Sequence, residues 1–182
     1  MKQLCKVFVA AIVLATPISA QTTSPSGGTV PDADPVDVES IDAIVAALYE
    51  VISGPAGQER DWDRFRSLFL TEAKLIPTRF LREGGDAHAG YTSVDGYIER
   101  SNPFLVENGF FESEIGRVEE HFENIAHAFS TYDSRLTQDG EVFQRGVNSI
   151  QLLWDGERWW IVNIMWRGVG PDFPIPAKYL KP

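Results

Sequence analysis

The chain has almost no cysteine. Its single one, Cys5, lies in an apolar N-terminal stretch, so the rest of the chain is barred from disulfides, thiol nucleophiles and thiolate metal sites. Long hydrophobic runs are also missing. Val7 to Leu14 falls short of the roughly 20 apolar residues a membrane-spanning helix needs, and no later segment approaches that length. Positive charge is scarce: 16 basic against 26 acidic residues give a net charge of −10. Such a surface repels nucleic acid and anionic lipid, and no basic stripe or internal repeat offsets it. The three histidines, His88, His121 and His127, have no second ligand at useful spacing, so no metal site is expected. A Gly-rich phosphate loop and a Gly-x-Ser-x-Gly turn are both absent, and no cofactor is expected.

What is present begins with an export signal. Lys2 and Lys6 precede the apolar run, and Pro17-Ile-Ser-Ala20 offers small residues before a cut ahead of Gln21. Residues 1–20 are therefore read as a cleaved signal peptide, which places the protein in the periplasm or outside the cell, with no membrane anchor. Cys5 lacks the small-residue context of a lipoprotein site. Without Lys2 and Lys6 the mature chain keeps 14 basic against 26 acidic residues, a net −12. Residues 21–36 are rich in Ser, Thr, Pro, Gly and Asp and read as a disordered tether. Residues 37–182 are enough for one domain with one core, ending in a proline-rich tail.

The stretch from Phe110 to Arg167 reads as four strands. Asp139-Gly140 and Asp155-Gly156 are strong signals for two-residue hairpin turns, and Glu123-Asn124 is a weaker one. Two-residue loops pair Phe122 with Ile125, Gln138 with Glu141, and Trp154 with Glu157. Counting along the ladder then puts Val118, Phe122, Ile125, Phe129, Ile150, Leu152, Trp154, Trp159, Ile161 and Met165 on a face that helices cover. Ala126, Ala128, Ser130, Tyr132, Leu153, Trp160, Ile164 and Trp166 fall on the other face. That outer face is read as the interface of a homodimer, the alternative cover being the C-terminal tail with Ile175 and Tyr179.

Helices precede the sheet. Ile41, Ile44, Val45, Leu48, Val51 and Ile52 keep helical spacing, with Ser40 as N-cap and Gly54-Pro55 as the stop. A shorter helix is expected from Arg60 to Phe69, then a strand through Ala73, Leu75 and Pro77 and a polar hairpin around Glu83-Gly84-Gly85-Asp86. A third helix starts at Ser93 and should end or kink at Pro103.

This order, with the stretches Asp61-Trp-Asp-Arg-Phe-Arg-Ser-Leu-Phe69, Phe111-Glu-Ser-Glu-Ile115, Asn124-Ile-Ala-His-Ala-Phe-Ser-Thr-Tyr132, Arg145-Gly-Val-Asn-Ser-Ile-Gln-Leu152 and Gly156-Glu-Arg-Trp-Trp-Ile161, resembles the nuclear transport factor 2-like superfamily. Within it the chain looks most like the secreted bacterial members related to SnoaL-like polyketide cyclases. The resemblance implies an α+β cone of N-terminal helices against a strongly curved antiparallel sheet, a ligand pocket in the cone, and frequent dimers. It implies no single activity, since the superfamily includes isomerases, dehydratases, epoxide hydrolases, cyclases and members that only bind or assemble. The tyrosine and paired aspartates of the ketosteroid isomerases have no residue-by-residue match here.

Two polar groups stand out on the expected inner face. Glu120 falls opposite His127 among apolar neighbours, a carboxylate that would orient an imidazole and raise its pKa for general acid or base work. The alternative is a structural ion pair. Further along, Thr131, Asn148 and Asn163 share one cross-strand row, with Glu114 and Asp133 on the next. Amides there could hold a carbonyl or hydroxyl while Asp133 moves a proton, unless these residues simply face water. Tyr49 and Trp62 on the covering helices add pocket wall or plain core. Two functions remain open: a cofactor-free isomerase, dehydratase or cyclase acting on a small, largely apolar molecule through His127 with Glu120 or through Asp133, and a non-catalytic dimeric module that binds a ligand or a protein partner.

Overall fold

A computed structural model describes residues 20–80, 86–169 and 174–180. All but the last residue of the expected signal peptide, residues 1–20, and the tip of the expected Glu83 hairpin lie outside the described residues. The element order is β1 (Gln21–Thr23), β2 (Thr29–Pro31), α1 (Pro35–Val38), α2 (Ile41–Ile52), α3 (Trp62–Ser67), β3 (Phe69–Phe80), β4 (Ala87–Ala89), α4 (Val94–Asn108), β5 (Phe111–Phe122), β6 (Ile125–Arg135), β7 (Gln144–Trp154), β8 (Trp159–Gly168) and a final 3-10 turn at Ala177–Tyr179. Six strands form one sheet in the order β4-β3-β8-β7-β6-β5, antiparallel except where β3 runs parallel to β8. Helices lie over one face of it, so the expected α+β cone is what forms.

Capping sets the helices. Ser40 accepts from the Ala43 amide at 3.0 Å to start α2, whose apolar positions supply Ile44, Val45, Leu48 and Ile52 to the core. Asp61 caps α3, so this helix is shorter than expected; Phe69, buried against the core, instead begins β3. α4 passes through Pro103 rather than ending there. Glu99 and Pro103 both lie on its exposed side, while Ile98 and Leu105 hold the two halves against the core. The segment read as a tether is ordered as well: β1 and β2 pair, and Ser24 and Val30 are buried. Hydroxyls replace the missing apolar contacts there, with the Thr71 amide donating to Ser24 Oγ at 3.3 Å.

The sheet register departs from the count by one residue, and the faces exchange as a result. The Glu123-Asn124 turn forms with two residues as expected, Phe122 pairing with Ile125 and Glu123 taking a φ of 50°. Asp139-Gly140 does not make a two-residue hairpin. Gly140 closes a local turn onto the Thr137 carbonyl, and the last β6–β7 pair is Ser134 with Gln144. Ala128 therefore faces Ile150, which faces Ile164. At Asp155-Gly156 the loop holds four residues, because Asp155 Oδ1 accepts from the Glu157 and Arg158 amides. A bulge between Gln151 and Leu152 then shifts β8 again.

Ala126, Ala128, Ser130, Tyr132, Asn148, Ile150, Leu152, Ile164 and Trp166 consequently line the helix-covered face, against expectation for most of them. Val118, Phe122, Ile125, Phe129 and Met165 share the open face, with Phe122 73%, Ile125 56% and Met165 41% exposed. The tail covers part of that face: the Tyr179 ring packs tilted against Phe129 with centroids 4.8 Å apart, and its carbonyl accepts from Thr131 Oγ1 at 2.6 Å. A side chain at Gly116 would collide with the backbone of Tyr179 and Leu180, so the tail needs glycine there.

Candidate functional site

A cavity of about 200 Å³ lies between the sheet and the helices. Leu48 and Ile52 come from α2, Tyr97 from α4, and Tyr132, Asn148, Ile164 and Trp166 from the inner sheet face. Most of this wall is apolar. Its polar members are Ser134, Gln144, Asn148 and one carboxyl, that of Glu112 on β5 opposite Ser134, whose hydroxyl donates to Glu112 Oε2 at 2.8 Å. Burial, reinforced by the charge of Asp133 behind the strand, pushes the Glu112 carboxyl up to about 7, although hydrogen bonds from Ser134 and Asn148 favour its ionised form. The carboxyl thus touches the cavity, and the residue is part-buried between it and an outer cleft lined by Glu114 and Arg117.

Donor directions around Glu112 follow from chemistry. The Asn148 amide donates to Tyr49 Oη at 3.0 Å, Tyr49 meets Ser130 Oγ at 2.7 Å, and Ser130 donates to Glu114 Oε1 at 2.5 Å. A carboxylate at the end of the chain can only accept, so Ser130 donates a hydrogen bond to it, Tyr49 donates one to Ser130, and Asn148 must present its NH₂ to Tyr49 and Glu112. Glu114 is held from outside by Arg117, at 3.1 Å. Burial, with the nearby Glu112 charge, lifts the phenols of Tyr49, Tyr97 and Tyr132 well above the usual range, so each remains a protonated donor at neutral pH. Tyr132 lies close over Gly146 on the neighbouring strand, where any side chain would displace its ring.

The residues singled out from the sequence are divided by the sheet. Asn148, Glu114 and Tyr49 come together on the inner face around Ser130. Glu120 does lie opposite His127, but on the open face, where His127 Nε2 meets Ser149 Oγ at 2.8 Å. Asp133 is buried on that side and clamped by Arg135 Nη1 at 2.6 Å and Nη2 at 2.9 Å. Thr131 is taken by the tail, and Asn163 pairs with Gln151 in register on the same side. Trp62 donates to Asn102 Oδ1 at 3.0 Å and joins α3 to α4 without lining the cavity. The residues missed are Glu112, Ser134, Tyr97 and Tyr132. Glu112 shares a strand face with Glu114 until the bulge at Ile115, and a correct β6–β7 register would have placed both beneath the helices. Among the described residues no group of three His, Cys, Asp or Glu side chains is arranged to hold a metal ion.

Comparison with solved structures matches this architecture to an uncharacterized protein with a cystatin-like fold from Caulobacter vibrioides, at 14% identity over 74% of this chain and 90% of that one, TM-score 0.53. A protein of unknown function with a cystatin-like fold from Nostoc punctiforme matches at 10% identity over 75% and 92%, TM-score 0.54. This is the nuclear transport factor 2-like fold. LinA shares it at 10% identity over 76% and 93%, TM-score 0.52. No family model matches the chain, and no curated protein matches it. At such identities the likeness concerns the fold alone, and the chemistry of this nuclear transport factor 2-like cone has to be argued from its own residues.

Proposed function

We propose that the cone binds a small, largely apolar organic molecule and that Glu112 moves a proton on it, without a cofactor, in an isomerisation, dehydration or cyclisation. The observation that carries this reading is a carboxyl raised to about 7 and facing a cavity whose wall is otherwise mostly apolar. Near neutral pH such a group is divided between base and acid, the balance that proton transfer in both directions requires. Ser134 and Asn148 orient it. Tyr132 and Tyr97 also line the cavity and remain protonated, so either can donate to a carbonyl oxygen as negative charge develops.

The test uses a simple carbon acid, 2-indanone in D₂O, with loss of the α-proton signal followed by NMR. The full mature chain should accelerate exchange, and Glu112→Gln should lower the acceleration by about two orders of magnitude or more. Exchange that is no faster than with free carboxylate, or that survives Glu112→Gln, would favour the alternative: a module that holds the same molecule without turning it over.

We further infer that the protein is exported and works as a homodimer. The export signal supports the first statement. The second rests on Phe122, Ile125 and Met165, apolar and exposed on one side of the sheet. Native mass spectrometry of protein purified from its own host tests both.

A further inference from the structure

Next to the cavity lies a groove of about 530 Å³, and Tyr97, Phe110 and Trp166 belong to the walls of both. The rim of this groove is basic. Arg79 on β3 lines it, His88 faces Arg79 across the β3–β4 pair, and Arg100 reaches it from α4. No acidic side chain lines the groove among the described residues. That is unexpected in a chain with 26 acidic and 16 basic residues. Elsewhere Arg64, Arg66, Arg117 and Arg135 each rest on a carboxylate. Arg79 and Arg100 are exposed and make no ion pair with any described residue.

We propose that the molecule bound in the cone carries a carboxylate head, which Arg79 and Arg100 hold at the mouth while its apolar body extends inward to Glu112. This rests on reading the cavity as a ligand site and names the ligand class. The interior admits no second anion. A carboxylate beside Glu112 would place two like charges in a desolvated space, so a charged head is stable only at the rim. At the rim, guanidinium groups match a carboxylate with paired, charge-assisted hydrogen bonds, and an unpartnered arginine gives up no existing ion pair to form them. Capture of an anion by an otherwise acidic molecule also requires a local positive field, which His88 reinforces when protonated.

Two probes of equal shape test this on the full mature chain: 3-phenylpropionate and the neutral 3-phenylpropionamide, titrated calorimetrically at about pH 8, where most histidine is uncharged. The acid should bind at least about tenfold more tightly than the amide, with added salt eroding the difference. Arg79→Gln with Arg100→Gln should abolish the preference, bringing the acid to the affinity of the amide. Both side chains are exposed, so the variant should keep its fold, as circular dichroism would report. Equal binding of the two probes, or a preference that survives the double variant, would overturn the head-group assignment and leave the cavity reading standing. Binding of neither probe would overturn both.

Discussion

At the scale of the residue, the decisive group is a glutamate that periodicity does not single out. Glu120 and His127 were legible as cross-strand neighbours because their turn has two residues, and the structure keeps them opposite each other. Their face was not legible, since it depends on what lies over each side of the sheet. Glu112 has a consequence for stability as well as chemistry. A carboxyl raised from 4.5 to about 7 in the fold leaves stability intact below about 4.5, where folded and unfolded chains are both protonated. Between those values only the unfolded chain ionises, so stability falls as pH rises and levels off above about 7. Glu112→Gln should therefore match wild type in urea denaturation near pH 4 and exceed it by on the order of 2 kcal/mol near pH 8. An equal difference at both pH values would contradict the raised carboxyl.

At the scale of the element, α2 was read correctly from Ser40 to Ile52, because an N-cap and a helical apolar stripe are local signals. What finishes the helix was not visible. Arg60, buried, donates from Nε to the Ile52 carbonyl at 3.0 Å and from Nη2 to the carbonyls of Gly54 at 2.7 Å and Leu105 at 3.2 Å. One guanidinium thus satisfies acceptors left over at the end of α2 and ties them to α4. The partners are backbone groups up to 45 residues away, which no side-chain pattern encodes. Arg60→Met should cost about 3 kcal/mol in urea denaturation by leaving several buried carbonyls unpaired. A loss below about 0.5 kcal/mol, the size of an ordinary surface substitution, would show that water replaces the guanidinium.

At the scale of the whole molecule, the succession of the last four strands followed from their periodicity and turns, and the α+β cone followed from the family resemblance. The distribution of function over the two faces did not. One residue of slip at the β6–β7 connection moves every β7 side chain to the other face relative to β6. Asp139-Gly140 was a strong hairpin signal that the chain uses for a local turn inside a longer loop. The slip carried His127 and Asp133 away from the cone and brought Ser130 and Tyr132 into it, while the shift between β7 and β8 carried Asn163 away. It also left Phe122 and Ile125 in the open. If that face joins two copies, native mass spectrometry should find a dimer of chains beginning at Gln21, and Phe122→Lys with Ile125→Lys should give monomers with the cavity intact. A wild-type monomer would remove the interface, and an uncleaved N-terminus would remove the export proposal.

The central claim is that Glu112 works as a base inside the cone, and the pH profile of 2-indanone exchange tests it most directly. Only the ionised carboxylate accepts the proton, so the rate should rise with pH and level off through a midpoint near 7, the value to which burial lifts this carboxyl. A midpoint near 4.5, that of an unperturbed glutamate, or a profile that Glu112→Gln leaves unchanged, would contradict the account.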